Sequence, residues 1–454
     1  MMGRRIRIAA VIAGVAVLMA GCEPNEKSSG PTPPSTSQDT LAVLAEILAD
    51  PAECGVCHPT HYREWQESMH AYAIDDPVFQ ALHRVGQERS GGQLDQFCLK
   101  CHTPAGSLLG ETPPDFEVAQ LSPLAAAGVS CDVCHSMDTR ALNRGLGVTE
   151  FRLDRVRRGP ISDPVANPYH ESEMDLAYAF SDICAPCHDL AAPDGSFLLE
   201  TTNTEWDNSA FAAMGVECQS CHMPTYSGRA AEGGPVRDNL HRHTFIGVDY
   251  PLIPYPGRQA TIDAVAELLR NSVTVTVVSP GSVRPGEALD IEVQIKNDRS
   301  GHNIPSGAIF ERQMWIELVV RDTATDSVVF ATGLLDGNGD LRNQKSLDVR
   351  DGRLPADTAL VLYNGIPRDA DGNELLFFWE AAFIENRTIP AFRTDISRFT
   401  VPAPGTATAL EASLRLRFRT FPPYLFRELD LEHLLPELLV MDMHDETWTV
   451  AVRH

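Results

Sequence analysis

Ten of the eleven cysteines in this chain fall into five copies of one pentad, Cys-x-x-Cys-His, between residues 54 and 222. They are Cys54/Cys57/His58, Cys98/Cys101/His102, Cys131/Cys134/His135, Cys184/Cys187/His188 and Cys218/Cys221/His222. Two thiols three residues apart, followed at once by an imidazole, form the attachment pattern for a c-type haem. The thiols add across the two vinyl groups, and the histidine binds the iron from one side. Zinc is the main rival, because Cys-x-x-Cys pairs also build tetrahedral metal sites, but a zinc ribbon has no need of a histidine after every second cysteine. A thioredoxin-like redox pair occurs once, beside a strand–helix–strand pattern. A disulfide framework has no reason to keep its cysteines in identical pentads. The sequence therefore predicts five covalently bound c-type haems, with His58, His102, His135, His188 and His222 as proximal ligands.

The other side of each iron needs a second ligand. Ten histidines lie outside the pentads, and six of them, His61, His70, His83, His170, His241 and His243, are in the motif-bearing half. That enrichment predicts mostly bis-histidine coordination, which suits electron transfer, whereas methionine would raise the potential. Met137 and Met223 follow proximal histidines too closely to cap the same iron, and Met69 merely precedes His70. His61 comes three residues after His58, on nearly the same helical face, and reaches only a neighbouring haem. His170 follows Asn167-Pro168-Tyr169, a loop that presents a side chain rigidly. His241 and His243 share a face only on a strand, so one of the two is expected to ligate. His302, in Ser300-Gly301-His302-Asn303-Ile304-Pro305, would have to dock from the second half of the chain. For His61, His83, His241 and His302, an ordinary polar histidine is an equally good account.

The elements that hold these residues change character along the chain. Residues 41–250 read as short helices and loops strung between motifs whose starts are 44, 33, 53 and 34 residues apart. With so little chain per haem, the porphyrins must supply much of the apolar core. One helix is well signalled, by Asp76 as N-cap, Pro77 at the first position and Val78, Leu82 and Val85 on one stripe. Residues 251–272 read as a linker helix, with Ile262, Val265, Ala266 and Leu269 at helical spacing. From 273 to 454 the period becomes two, as in Leu289, Ile291, Val293 and Ile295, or Met314, Ile316, Leu318 and Val320, with turn signals between. This predicts a multi-domain chain, a mainly α/loop multihaem domain followed by an all-β antiparallel sandwich. Arg415, Arg417 and Arg419 alternate with Leu414, Leu416 and Phe418; pairing with haem propionates or acidic side chains is one account of them, and a solvated strand face is the preferred one.

The eleventh cysteine has its own context. Arg4, Arg5 and Arg7 precede a short apolar run, Ile8 to Leu18, and then Leu18-Met19-Ala20-Gly21-Cys22. Residues 1–21 thus read as a lipoprotein signal peptide with Cys22 as the lipidated residue, and the polar stretch 22–40 as a tether. Export fits haem attachment, which takes place outside the cytoplasm. Glu23 in place of aspartate points to the periplasmic face of the outer membrane or the cell surface. The net charge of −25 becomes −28 once residues 1–21 and their three arginines are removed. Nucleic acid is excluded as a partner by that charge, which serves solubility and suits a basic redox protein.

The stretch Cys54-Gly-Val-Cys-His-Pro-Thr-His-Tyr-Arg-Glu-Trp-Gln-Glu-Ser-Met-His70-Ala resembles the opening of the cytochrome c-554-type multihaem family, where Trp-x-x-Ser-x-His follows the first pentad. Val129-Ser130-Cys131 and Val216-Glu217-Cys218, with His222-Met223-Pro224 behind, are similar to its later motifs. The resemblance implies closely stacked, mostly bis-histidine haems in a helical frame, with His70, His170 and His243 as distal ligands. Gly301-His302-Asn-Ile-Pro-Ser-Gly307, with Arg312-Gln-Met-Trp315 behind, looks like the sandwich domain appended to several exported multihaem cytochromes. A fifth pentad and the lipid signal depart from the tetrahaem members. The expected function is one-electron transfer between exported redox partners, other cytochromes or membrane oxidoreductases, from a lipid anchor. The alternatives are a multihaem reductase or oxidase of small nitrogen or sulfur compounds, which needs an open iron, and a haem-wire subunit. Intact-mass analysis of protein made with c-type maturation should give five haem increments on a lipidated chain starting at Cys22. Fewer increments lower the count, and a mature terminus elsewhere removes the anchor.

Overall fold

The computed structural model describes residues 43–453 apart from 45 and 153. The leader, Cys22, the tether and His454 lie outside the described residues. Among the described residues, no helix is long and apolar enough to cross a membrane.

The first half is short helices and loops. Each pentad sits on or against a single helical turn: Pro51–Cys57, Leu99–His102, Cys131–His135, Ala185–His188 and Cys218–His222. On a helix, thiols three residues apart lie on one side, with the following histidine beside them. Helices this short do not persist by themselves, so packing must hold them. The longest helix in this half, α1 (Pro77–Ser90), begins and ends as its sequence dictates. The Asp76 carboxylate accepts the Val78 N–H at 2.9 Å, Pro77 opens the helix, and Gly91 closes it at φ 62°. Two small strand pairs carry histidines, the parallel pair Val156–Gly159 with Glu171–Met174 and the hairpin of Thr225–Arg229 with Val236–His241.

The second half is sheet. Strands β1 (Thr274–Val278), β3 (Ala288–Lys296) and β7 (Thr394–Pro402) form a three-stranded sheet in the order β7-β3-β1. A larger sheet runs β5 (Val328–Thr332), β4 (Gln313–Asp322), β8 (Ala409–Arg419), β9 (Met441–Val452) and β2 (Ser282–Val283), with β6 (Leu362–Tyr363) also paired to β4. The period-two pattern lands as expected: Leu289, Ile291, Val293 and Ile295 are each at most 1% exposed. One pairing is not antiparallel, the two-residue bridge of β2 onto β9 at the sheet edge.

The two halves share a core. Helix α2 (Arg258–Arg270) buries Ile262, Val265 and Leu269, and these join one apolar cluster with the strands of both sheets. Val78 and Ala81 of α1 and Tyr250 and Leu252 belong to that cluster too.

The arginine stripe of β8 is not a solvated face. Glu317 stands opposite Arg415 in the register, 3.4 Å from its guanidinium and 2.7 Å from that of Arg417. Asp442 and Asp445 on β9 close the other side, at 2.9 Å from Arg417 and 3.3 Å from Arg415. Arg419 is buried and donates to Gln313 and to the Gly339 carbonyl. Acidic residues on both flanking strands, far away in sequence, convert the stripe into an ion-pair ladder. Glu317→Ala should therefore destabilise the sheet by about 1–2 kcal/mol, since it removes the partner shared by Arg415 and Arg417 at a largely buried site while Asp442 and Asp445 remain. Arg415→Ala, at an exposed position, should cost only about 0–1 kcal/mol. Denaturant melts of the two variants decide between a ladder and a solvated face.

Candidate haem-binding site

One continuous cavity of about 1670 Å³ runs through the first half and against the sheet domain, lined by cysteines and histidines from all five pentads. Its walls are the substance of the site, because four of the five proximal histidines face a second imidazole across it. With metal–imidazole bonds of about 2 Å and about 1.1 Å from nitrogen to ring centre, two imidazoles on opposite sides of one iron have centroids about 6.3 Å apart. The structure places His58 and His170 at 6.3 Å, His70 and His188 at 6.2 Å, His135 and His243 at 6.4 Å, and His222 and His302 at 6.3 Å. Rotation about the iron–nitrogen axis is free, so ring planes 16° to 58° apart are all compatible with such coordination.

The orientation of the rings fits as well. A carbonyl oxygen only accepts, so an imidazole nitrogen bonded to one carries the proton and leaves the other nitrogen's lone pair for a metal. Nδ1 donates to a carbonyl in His58 (Ala230, 2.7 Å), His102 (Ala73, 3.0 Å), His135 (Arg158, 2.5 Å) and His222 (Ile246, 2.6 Å). On the opposite side the same holds for His170 (Glu171, 3.1 Å), His243 (His241, 3.0 Å) and His302 (Asn303, 2.8 Å). Burial pushes His70 and His243 down to about 3, and His102 and His188 to about 4, so these rings are neutral and ready to ligate across the physiological range. The residues present thus fit covalently attached c-type haem. Among the described residues no group of three or more His, Cys, Asp or Glu side chains converges as a tetrahedral metal site requires.

Local packing explains how the distal imidazoles are aimed. Trp65 donates to the Val129 carbonyl at 2.8 Å, and Val129 N–H donates to the His70 carbonyl at 2.9 Å, tying the first motif's helices to the third motif's approach. Gly128, at φ 61°, comes so near that a Cβ would stand 2.6 Å from the His70 carbonyl oxygen. Phe245 lies 4.4 Å from the His70 ring and 5.6 Å from that of His243. Buried Glu64 accepts the backbone N–H of His243 at 2.9 Å and pairs with Arg242 at 2.5 Å. His302 belongs to the sheet domain, and its loop is clamped from the other half by Glu205, which accepts from Asn303 N–H at 3.2 Å and Ser306 Oγ at 2.6 Å.

The remaining candidates stand elsewhere. The Nε2 of His61 is engaged by Tyr226 Oη at 3.0 Å, although its ring is 6.5 Å from His58 and 4.5 Å from His243. His241 donates Nδ1 to the Met223 carbonyl at 2.6 Å and faces no proximal ring. His83 is buried against Phe79 and Phe116, with neither ring nitrogen bonded. The second motif therefore differs from the others: His102 has Phe79 stacked at 3.9 Å and no second imidazole at ligand distance.

The motifs are also joined to one another through sulfur. Cys54 lies close enough to Cys131 to alter its acidity, as Cys101 does to Cys187 and Cys218 to Cys184. Cys134 is within electrostatic reach of both Cys184 and Cys187. The first motif thus adjoins the third, and the fourth adjoins the second, third and fifth.

A family model for Cytochrome c554 and c-prime matches residues 53–136, the segment holding the first three motifs. A search of curated proteins found no match. Among solved structures, a penta-heme cytochrome c552 from Thermochromatium tepidum is similar at 20% identity and a TM-score of 0.61, over 88% of this chain and 99% of that one. MtrC from Shewanella baltica OS185 matches at 12% identity over 59% of this chain and 36% of its own, with a TM-score of 0.17 that carries no argument.

His302→Ala and His70→Ala should each turn one low-spin haem high-spin and add one equivalent of carbon monoxide binding. His241→Ala should change neither. Electron paramagnetic resonance with carbon monoxide titration reads both, and an unchanged low-spin signal in His302→Ala removes the interdomain ligand.

Proposed function

We propose that this multihaem c-type cytochrome carries five covalently attached haems and passes single electrons between exported redox proteins, from a lipid anchor on Cys22. The observation that carries the reading is the set of four imidazole pairs at 6.2–6.4 Å. Paired imidazoles hold iron six-coordinate in both oxidation states, which keeps rearrangement on reduction small and closes the metal to substrates. Five pentads support the haem count, as does a similar solved structure described as penta-heme.

The proximity of Cys54 to Cys131, of Cys101 to Cys187 and of Cys184 to Cys218 supports a branched row of haems. Electrons would run from the first motif through the third to the fourth, which serves the second and fifth as separate ends. The acidic surface suits a basic partner, and the anchor favours the periplasmic face of the outer membrane or the cell surface.

A second reading, a reductase or oxidase of a small molecule, is favoured by one observation: the second motif has Phe79 rather than an imidazole beside His102. Low-temperature electron paramagnetic resonance with haem quantitation separates the two. Four low-spin haems, one high-spin haem and one equivalent of carbon monoxide bound, the result the second motif's geometry leads us to expect, would keep electron transfer for the four paired centres and confine any small-molecule chemistry to the second motif. Five low-spin haems and no carbon monoxide would leave electron transfer alone and make His83 the missing ligand; the loss of low-spin character in His83→Ala would then identify it.

A further inference from the structure

Between the second motif and the sheet domain lie four carboxylates brought together from four places in the chain. Asp76 caps α1, Glu200 ends the strand Leu198–Glu200, Asp249 lies in the loop before α2, and Glu311 precedes β4. All four line the same cavity as Val78, Phe79 and His102. Glu311 is within electrostatic reach of Asp76, Asp249, Glu200 and the Cys98 sulfur. One cation serves the cluster: Arg312, 7% exposed, holds Asp249 at 2.8 Å and the Thr420 carbonyl at 3.2 Å. Its Nε is buried, lines the same cavity and has no partner. Tyr424, from the segment Pro423–Glu428, is the remaining titratable group facing Glu311. Four carboxylates sharing one guanidinium on the half-buried wall of a cavity cannot all ionise without cost. Burial accordingly pushes Glu311 up to about 8 and Asp76 and Glu200 up to about 7.

We propose that Glu311, with Asp76, Glu200 and Asp249 around it, takes up a proton when the haem of the second motif is reduced. The inference rests on the reading of that motif as a haem site. One electron, arriving from an exported donor protein by way of the fourth motif, reduces the iron from ferric to ferrous. The Glu311 carboxylate gains one proton from water and becomes a neutral acid, so no net charge is added to the pocket. No bond to iron is made or broken. Asp249, whose side chain is 34% exposed, connects the cluster to solvent. The physical cause is Coulombic: a ferrous haem carries one positive charge less, and a nearby carboxylate then holds its proton more tightly. The second motif is the one suited to this, because it ends a branch and combines an imidazole with no second imidazole opposite it and four carboxylates that share one arginine.

The sign of the pH dependence follows. Below the carboxylate's pKa in the oxidised protein the proton is bound in both states, and the midpoint potential is flat. Above it, starting near pH 7–8, reduction brings a proton in, so the potential falls as pH rises, approaching one proton per electron. Spectroelectrochemical titration of the full-length holoprotein between pH 5.5 and 9.5 reads this haem by haem. One haem should show the slope, and Glu311→Gln should flatten it while the other four keep their spectra and potentials. Glu200→Gln, should Glu311→Gln fail to mature, should shift the onset of the slope to lower pH. A wild-type protein whose five potentials are all independent of pH overturns the proposal, as does an undiminished slope in Glu311→Gln. Carbon monoxide stoichiometry on the same samples keeps the two readings apart: one equivalent bound with no slope leaves the open second motif standing and removes only the proton coupling.

Discussion

Everything in the first half of this chain answers to one distance, the span of about 6.3 Å that two imidazoles must keep across a single iron. Helices of four or five residues cannot set such a distance by themselves. Backbone carbonyls do it instead, taking the Nδ1 proton of His58, His135 and His222 on one side and of His170, His243 and His302 on the other. Each carbonyl fixes both the tautomer and the direction in which the lone pair points. The residues that supply these carbonyls, Ala230, Arg158 and Ile246 among them, lie outside the pentads. The loops are therefore as much a part of the haem site as the pentads.

How far the sequence carried the reading follows from the range of each interaction. The pentads are local chemistry, and so are the cap of α1 at Asp76 and the alternation that made Leu289 to Ile295 a buried strand. The move from helix and loop to sheet was legible for the same reason. Pairing was not. Nothing near His70 says that it faces His188, 118 positions further on, rather than the iron of its own motif. His302 gave no stronger signal than His83 or His241, because what distinguishes it is the clamp by Glu205 from another part of the chain. The arginines of β8 were misjudged on the same grounds: their partners Glu317, Asp442 and Asp445 are fixed by strand register, which alternation alone does not specify.

Phe79 illustrates a different limit. On the sequence it is one more apolar residue on a helix, and it does bury itself as such. Its stacking at 3.9 Å on His102 nonetheless decides what stands beside the second motif's imidazole. His83, one turn further along α1, is placed in the same apolar cluster with both nitrogens unpaired. A buried imidazole with neither nitrogen bonded costs stability, which apolar packing by itself does not explain.

The position of His302 has a consequence for how the molecule comes into being. The fifth pentad ends at residue 222, yet the imidazole facing it is 80 residues downstream, in a loop shaped by the sheet domain. If His302 caps the fifth centre, that centre is complete only when the loop between the strands of the sheet domain is in place. Until the carboxyl-terminal strands have folded, that final centre is unfinished. A truncated or misfolded product would thus carry its own visible mark, a change of colour and spin at one end, and the sheet domain acts as the stage that completes assembly.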